Sequence, residues 1–218
     1  MKSIPGAEPF VPEQRSITAL RSAVQQCRGC DLYRRATQAI FGEVEAQPHA
    51  TRASVMMVGE QPGDREDLEG HPFIGPAGKL LDECLEEADI PRKEVYITNA
   101  VKHFKWEPRG KFRLHKKPTL TEVRACRPWL DAEIEAVHPK LIVCLGSTAA
   151  QSLLGNDFRV TKQRGMPVER PNLPTIIATV HPSSILRART DEDRHKEKAS
   201  FIADLKIVRD FISKAKLV

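Results

Sequence analysis

Four short apolar runs, none of them alternating with polar residues, divide the chain. They lie at residues 54–58, 95–101, 141–145 and 175–180. A continuous apolar run of this length is typical of a parallel strand that is buried on both faces. Because longer amphipathic segments lie between these runs, the pattern predicts a three-layer α/β/α fold with a central, mostly parallel sheet.

The amphipathic segments predict the helices. The first helix should begin after Ser16, a suitable N-cap, and another should have Pro76 in its first turn. Residues 119–122 have a capping-box pattern, and the helix that they open contains Pro128, which is expected to kink or divide it. The last helix is predicted at residues 194–214.

One domain is expected at residues 16–218. With 218 residues, of which 40% are hydrophobic, the chain can bury a substantial core. Residues 1–15 contain three prolines and predict a flexible N-terminal arm. We expect a monomer, and no apolar run approaches the roughly 18 residues that a membrane span needs. The prediction is therefore a soluble, cytoplasmic protein with no membrane partner.

The charge of the chain points to a polyanionic partner. The formal net charge is +5, and the sequence pI is near 9.0. An excess of basic residues bears on what the protein binds and not on its fold. Nucleic acid is the leading candidate for the partner.

The cysteines suggest a metal site. Five cysteines, an odd number in a reducing compartment, argue against a disulfide framework. Cys27 and Cys30 form a Cys-x-x-Cys pair, Cys126 supplies a third soft ligand, and His103 is the best fourth candidate. From the spacing alone, a zinc site is favoured over an iron-sulfur cluster. A pair of reduced thiols without a metal remains the alternative. Cys84 and Cys144 lie in apolar segments and are assigned to the core.

A strongly basic segment occupies residues 102–118. It has no helix or strand period, and its seven lysines and arginines face one acid, Glu107. His103 and His115 lie near its two ends. Long loops of this kind are usually functional or disordered, so the alternatives are a ligand-binding loop and a solvated basic loop.

Polar residues follow the predicted strands, where ligands bind in parallel α/β sheets. They include Glu60 and Gln61, Asn99, and His181 with Ser184. Phe73 adds a flat apolar surface, although ordinary core packing explains it as well. Together these residues describe a pocket that could stack and hydrogen-bond a flipped base beside the basic segment.

These motifs resemble uracil-DNA glycosylases of the iron-sulfur branch, family 4, and within that superfamily the UdgX type. The shared segments are Gly-Glu-Gln-Pro-Gly at 59–63, Pro-Phe-Ile-Gly-Pro-Ala-Gly at 72–78, Thr-Asn-Ala-Val-Lys at 98–102 and His-Pro-Ser-Ser at 181–184. Lys-Phe-Arg-Leu-His at 111–115 is similar to the UdgX loop Lys-Arg-Arg-Ile-His. Phe112 departs from that loop by replacing its first arginine.

The resemblance implies a cofactor and a substrate. The cofactor would be a four-iron, four-sulfur cluster with Cys27, Cys30, His103 and Cys126 as ligands, which reverses the preference for zinc. The substrate would be uracil-containing DNA, with single-stranded DNA favoured. Arg113 and Lys111 would hold the loop over the DNA. Ser184 through Arg187 would contact the DNA backbone or fill the space left by the flipped base.

The resemblance also implies a reaction. His115 would attack the sugar C1′ and leave a covalent protein-DNA adduct, with Glu60 orienting it or taking its proton. Phe73 would stack on the flipped uracil, Asn99 would read its edge, and Gln61 and His181 would stabilise the uracil anion. The alternatives are a turning-over family 4 glycosylase and a non-enzymatic, metal-containing module that binds single strands.

Overall fold

The computed structural model describes residues 4–45, 47 and 53–215. Eight strands are present in this part of the chain: β1 (Glu43–Val44), β2 (Val55–Gly59), β3 (Val95–Asn99), β4 (Trp106–Arg109), β5 (Phe112–His115), β6 (Leu141–Leu145), β7 (Pro167–Val168) and β8 (Thr175–Thr179). Eight α-helices accompany them: α1 (Ile17–Val24), α2 (Asp64–Glu69), α3 (Pro76–Glu87), α4 (Leu120–Val137), α5 (Ser147–Leu154), α6 (Val160–Gln163), α7 (Pro182–Leu186) and α8 (Asp191–Ala215).

The central sheet has the strand order β1-β3-β2-β6-β8-β7. Its four inner strands are parallel, and the two-residue edge strands β1 and β7 are antiparallel to their neighbours. The inner strands are those predicted from the continuous apolar runs, and nearly all of their residues are buried. The edge strands were not predicted, because two residues cannot establish a hydrophobic period.

Helices cover both faces of this sheet. Buried side chains of α1, α4 and α5 share one apolar core with one face of the strands, and those of α3, α7 and α8 share a second core with the other face. The predicted three-layer α/β/α fold with a mostly parallel sheet is therefore confirmed. None of the described helices is long and apolar enough to cross a membrane.

Two local predictions differ from the structure. Helix α4 begins at the predicted capping box, where the Thr119 side chain accepts a hydrogen bond from the Glu122 N–H, and it continues past Pro128 without interruption. The basic segment was predicted to lack secondary structure, but β4 and β5 pair within it as an antiparallel hairpin. Pro108 and the charged residues around it conceal the strand period in the sequence.

The N-terminal segment also differs from the predicted flexible arm over its described residues. The Ala7 N–H donates to the Ala125 carbonyl at 2.8 Å, and the Gly6 N–H donates to the Gly29 carbonyl at 3.0 Å. Ala7 is buried against the first core. These long-range contacts hold residues 4–10 on α4 and beside the Cys-x-x-Cys pair, while residues 1–3 of the predicted arm lie outside the described residues.

Lys102 is part of the core and not of the basic surface. It is fully buried and forms an ion pair with Glu133, which is also fully buried. The same carboxylate accepts hydrogen bonds from the Tyr96 and Thr98 hydroxyls at 3.0 and 2.9 Å. Lys102 therefore anchors the start of the basic segment, and its charge is unavailable for attracting DNA.

Candidate active site

A cleft of about 800 Å³ opens at the carboxyl ends of the parallel strands. Its walls come from the segments that follow β2, β6 and β8 and from the end of β5. Six of the residues selected from the sequence line it: Glu60, Gln61, Phe73, His115, His181 and Ser184. The strand-end loops therefore converge at one edge of the sheet, as the fold class requires.

Phe73 and Asn99 meet above Gly59. A Cβ atom at Gly59 would lie 2.3 Å from Asn99 Oδ1 and 2.7 Å from the Phe73 ring, so only glycine leaves room for both side chains. Phe73 itself has a φ of 58°, a left-handed conformation that is rare for an aromatic residue. Its carbonyl occupies the position of a Cβ at Gly78, so a second glycine is required there. The loop sequence thus holds the Phe73 ring beside the Asn99 amide.

Asn99 has an unused hydrogen-bonding group. Its side chain is only 1% exposed, and neither Oδ1 nor Nδ2 has a hydrogen-bond partner among the described residues. A buried amide without partners is costly, on the order of 1–3 kcal/mol for each unsatisfied group. Asn99 does not itself line the cleft, but its amide lies beside the Phe73 ring, which does. An amide in this position is suited to a ligand that supplies both an acceptor and a donor.

His181 is held as a neutral imidazole. Its Nδ1 accepts a hydrogen bond from the Ser183 N–H at 3.1 Å. The proton of the neutral ring therefore lies on Nε2, which is a donor. Burial, with smaller contributions from the nearby Arg187 and His115, lowers the pKa of His181 to about 4. The ring centroid lies 5.7 Å from that of Phe73, which places both rings in one corner of the cleft.

His115 ends β5 at the mouth of the cleft. Its Nε2 lies 2.9 Å from Gln61 Nε2 and 3.7 Å from Glu60 Oε1. Because an amide nitrogen only donates, His115 Nε2 is the acceptor and carries a lone pair. Burial lowers the pKa of His115, although the Glu60 carboxylate opposes this effect. The second oxygen of Glu60 accepts a hydrogen bond from the Thr148 hydroxyl, which fixes the carboxylate beside the imidazole.

Gln61 connects the hairpin to the body of the protein. Its Oε1 accepts from the Lys105 N–H at 3.1 Å, and its Nε2 donates to the carbonyls of Lys105 and Lys116 at 3.2 and 3.1 Å. The amide therefore bridges both ends of the hairpin. In the structure the backbone of the hairpin occupies the amide, and stabilisation of the uracil anion by Gln61 stays a prediction.

Arg113, which was predicted to hold this loop over the DNA, bonds the hairpin to α2 in the structure. Its guanidinium donates to Asp64 Oδ1 at 2.5 Å and to Asp67 Oδ2 at 2.6 Å. It also lies 5.5 Å from the ring centroids of Phe104 and Trp106. Alternation along β5 directs Arg113 towards α2, whereas Phe112 points outward and is 79% exposed.

Two further polar residues line the cleft, Glu66 and Thr148, and neither was predicted from the sequence as a site residue. Glu66 accepts a hydrogen bond from the Gly63 N–H at 2.8 Å, and burial raises its pKa to about 7. It stabilises the turn that follows Gln61. A signal for Thr148 was available, because it lies two residues after Gly146, the glycine that follows a predicted strand, but its partner Glu60 is 88 positions away.

Three cysteines converge near the start of the basic segment. Cys27, Cys30 and Cys126 are buried in the same core, and the Lys102 N–H donates to Cys126 Sγ at 3.3 Å. Burial, with smaller contributions from the neighbouring thiols, raises the pKa of Cys30 to about 11 and that of Cys126 to about 12. A soft metal could draw these thiols into the thiolate form.

The fourth predicted ligand, His103, is buried, and burial lowers its pKa to about 4. A neutral imidazole of this kind is the form that binds metals. No group of three or more metal-binding side chains is assembled among the described residues. The donor types thus suit a soft metal, while a complete ligand set is not formed in the structure.

Comparisons with known proteins identify the family. The model of the "Uracil DNA glycosylase superfamily" matches residues 48–206. The type-4 uracil-DNA glycosylase of Thermotoga maritima is 38% identical over 192 residues, which are 88% of this chain and 92% of that protein. The type-4 uracil-DNA glycosylase of Archaeoglobus fulgidus is 37% identical over 170 residues, 75% of this chain and 79% of that protein. With these similarities over most of its length, the chain belongs to the uracil-DNA glycosylase superfamily.

Proposed function

We propose that the protein is a uracil-DNA glycosylase that excises uracil from single-stranded DNA and then remains bound to the abasic sugar through His115. The observation that carries the glycosylase activity is the unpaired amide of Asn99 beside Phe73. The edge of uracil offers an acceptor at O4 and a donor at N3, which complement Nδ2 and Oδ1 of one asparagine. A base stacked on Phe73 would give this amide the partners that it lacks.

The cleft supplies groups for both charges that develop in the reaction. When the glycosidic bond breaks, its electron pair leaves with uracil N1, and positive charge remains on the sugar. The Nε2–H of His181 is a neutral donor for the uracil anion, and the Glu60 carboxylate lies where it can stabilise the sugar. Ser184 lies at the rim of the same cleft, where its hydroxyl could contact a phosphate.

The crosslink would form through the lone pair of His115. Its Nε2 would bond to C1′ as uracil departs, and the proton on Nδ1 would be lost afterwards to the solvent. Gln61 has two amide hydrogens and three acceptors within 3.2 Å, namely His115 Nε2 and the carbonyls of Lys105 and Lys116. When His115 moves away from Gln61, both amide hydrogens of Gln61 can still bond to the carbonyls of Lys105 and Lys116. The lone pair of His115 Nε2 therefore becomes available without leaving an unsatisfied donor on Gln61.

A turning-over glycosylase is the second candidate. Its supporting observation is the Glu60 carboxylate in the cleft, which could accept a proton from an attacking water. The similar proteins from Thermotoga maritima and Archaeoglobus fulgidus carry the name type-4 uracil-DNA glycosylase. In this reading His115 would assist the reaction and remain unmodified.

A denaturing gel distinguishes these possibilities. The protein is incubated with labelled single-stranded DNA that contains one uracil, and an otherwise identical strand with thymine serves as the control. We expect a shifted band that survives heat and SDS only with the uracil strand. Free abasic product without this band would support turnover, and unchanged DNA would exclude both forms of the proposal and favour a non-enzymatic binding module.

The cluster is a further part of the proposal. Cys27, Cys30 and Cys126 would hold a four-iron, four-sulfur cluster with His103 as the fourth ligand. When bound, the cluster would join the N-terminal helix, α4 and the start of the hairpin segment. The supporting observations are the burial of the three thiols in one core and the neutral state of His103.

Metal analysis after anaerobic purification tests this assignment. We expect a brown protein with about four iron and four sulfide per chain. Cys126→Ala should lose the iron, whereas Cys84→Ala should retain it, because Cys84 lies in the second core. Stoichiometric zinc without sulfide in the unaltered protein would exclude the cluster.

The lowered pKa of His181 leads to a pH prediction. The ordinary pKa near 6.5 falls to about 4, so the neutral donor form persists through the range in which an ordinary histidine becomes charged. We expect single-turnover uracil release to stay level between about pH 5 and pH 8 and to fall as the pH approaches 4. A loss centred near pH 6.5 would contradict this assignment, and circular dichroism at each pH would exclude unfolding as the cause.

A further inference from the structure

A second cavity of about 510 Å³ lies next to the cleft, between the start of α4 and α5. We call it the flanking groove and define it by Lys117, Leu120, Val123, Arg124, Arg127 and Leu153. Lys117 and Thr148 line both the flanking groove and the cleft. The two cavities are therefore adjoining parts of one surface, with the Thr148–Glu60 hydrogen bond on the wall between them.

The flanking groove combines an apolar floor with a cationic rim. Leu120, Val123 and Leu153 contribute the apolar surface, and Leu120 is 50% exposed. Lys117 and Arg124 are exposed and have no ion-pair partner among the described residues, and no aspartate or glutamate lines the cavity. An exposed apolar surface beside unpaired cations suits a ligand with a flat apolar part and a negative charge.

Arg127 belongs to the wall and does not share this role. Its Nε forms an ion pair with Asp131 at 2.7 Å, and its guanidinium also donates to the Ser152 carbonyl. The ion pair lies within α4, and the contact with Ser152 joins α4 to α5 at the wall of the groove. The cations that are free to bind a ligand are therefore Lys117 and Arg124. Lys117 lies at the side of the groove nearest the hairpin, and Arg124 lies on the second turn of α4.

We propose that the flanking groove binds a nucleotide that neighbours the uracil in the same DNA strand. Its base would lie on Leu120 and Val123, and its phosphate would contact Lys117 and Arg124. The inference rests on the proposed function, because the uracil in the cleft determines where the strand continues. Charge complementarity and the shared wall favour this occupant, and the volume lies within the usual range of small-ligand sites, roughly 300–1,000 Å³.

Binding measurements with charge-matched variants test the phosphate contact. The probe is a fluorescent single-stranded oligonucleotide with one 2′-fluoro-arabinouridine, whose fluorine destabilises the sugar cation and slows cleavage. We expect Arg124→Glu to raise the dissociation constant about tenfold or more in anisotropy titrations. Lys93→Glu changes the net charge equally but lies before β3, at the opposite end of the strands, and should raise it less than about twofold.

Removal of single bases tests the apolar floor. Each nucleotide next to the uracil analogue is replaced in turn by an abasic tetrahydrofuran. The unaltered protein should lose about fivefold in affinity at the position that enters the groove. Leu120→Ser should bind the intact and abasic strands equally at that position, since the contact with the base is already lost.

Two results would overturn the inference. One is an equal effect of Arg124→Glu and Lys93→Glu, which would reflect general charge attraction. The other is the absence of any neighbouring position that is sensitive to base removal. Uracil release is measured separately on ordinary uracil-containing strands, so loss of that activity with an intact binding pattern would contradict the glycosylase and not the flanking groove.

Discussion

His115→Ser should abolish the covalent adduct with uracil-containing DNA. Serine at this position has no imidazole lone pair to attack C1′, and its neutral hydroxyl is a much weaker nucleophile than a neutral imidazole. The hairpin should remain in place, because Gln61 still bonds to the backbone of Lys105 and Lys116 and Arg113 still bonds to α2. The measurement is the heat- and SDS-resistant band on a denaturing gel.

His195→Ser provides a matched control for that experiment. His195 is exposed on α8 and does not line the cleft, so its replacement should leave the amount of adduct unchanged. Thermal unfolding of both variants would check that the fold survives. Persistence of the adduct in His115→Ser would assign the nucleophile to another residue and reject the proposed role.

Asn99→Ala should lower the single-turnover rate constant for uracil release by about 10²–10³-fold, the usual cost of removing a donor that stabilises developing charge. The same change should not lower the thermal stability. In the free protein the Asn99 amide is buried without partners, so its removal relieves an unsatisfied group. Single-turnover kinetics and a melting curve on one protein sample give both quantities.

Asn99→Asp separates hydrogen bonding from packing. Aspartate has almost the same shape, but its ionised carboxylate offers no donor for uracil O4. We expect a loss of activity at least as large as that of the alanine variant. Two outcomes would show that the amide does not read the base. One is activity of Asn99→Asp near that of the unaltered protein. The other is a loss of activity in Asn99→Ala that is explained by a loss of thermal stability.

The inner strands of the sheet were predictable because the hydrophobic pattern that indicates each of them involves only neighbouring residues. Each inner strand is a run of about five apolar residues, and burial on both faces requires such a run. The loop that follows each strand then reaches the same edge of the sheet, so the positions of Glu60, Asn99 and His181 followed from the strand assignment. The hairpin was not predictable in this way, because its strands have only four residues each and are rich in charge.

The partners of Gln61, Arg113 and Asn99 could not be derived from the sequence. Gln61 bonds to residues 44 and 55 positions away, and Arg113 bonds to acids 49 and 46 positions away. A pattern of neighbouring residues cannot indicate hydrogen-bonded pairs that lie so far apart in the sequence. The sequence nevertheless indicated that Arg113 lies in the basic segment and that Gln61 follows the end of a strand.

By itself the sequence determined the fold class, the strand ends that carry Glu60, Asn99 and His181, and the family motifs. Only the tertiary structure decided that Gln61 and Arg113 hold the hairpin and that Lys102 is buried with Glu133. It also decided that the Asn99 amide has no partner among the described residues. The physical reason is that hydrophobic period is a property of neighbouring residues, whereas the availability of a polar group depends on which distant atoms the completed fold brings to it.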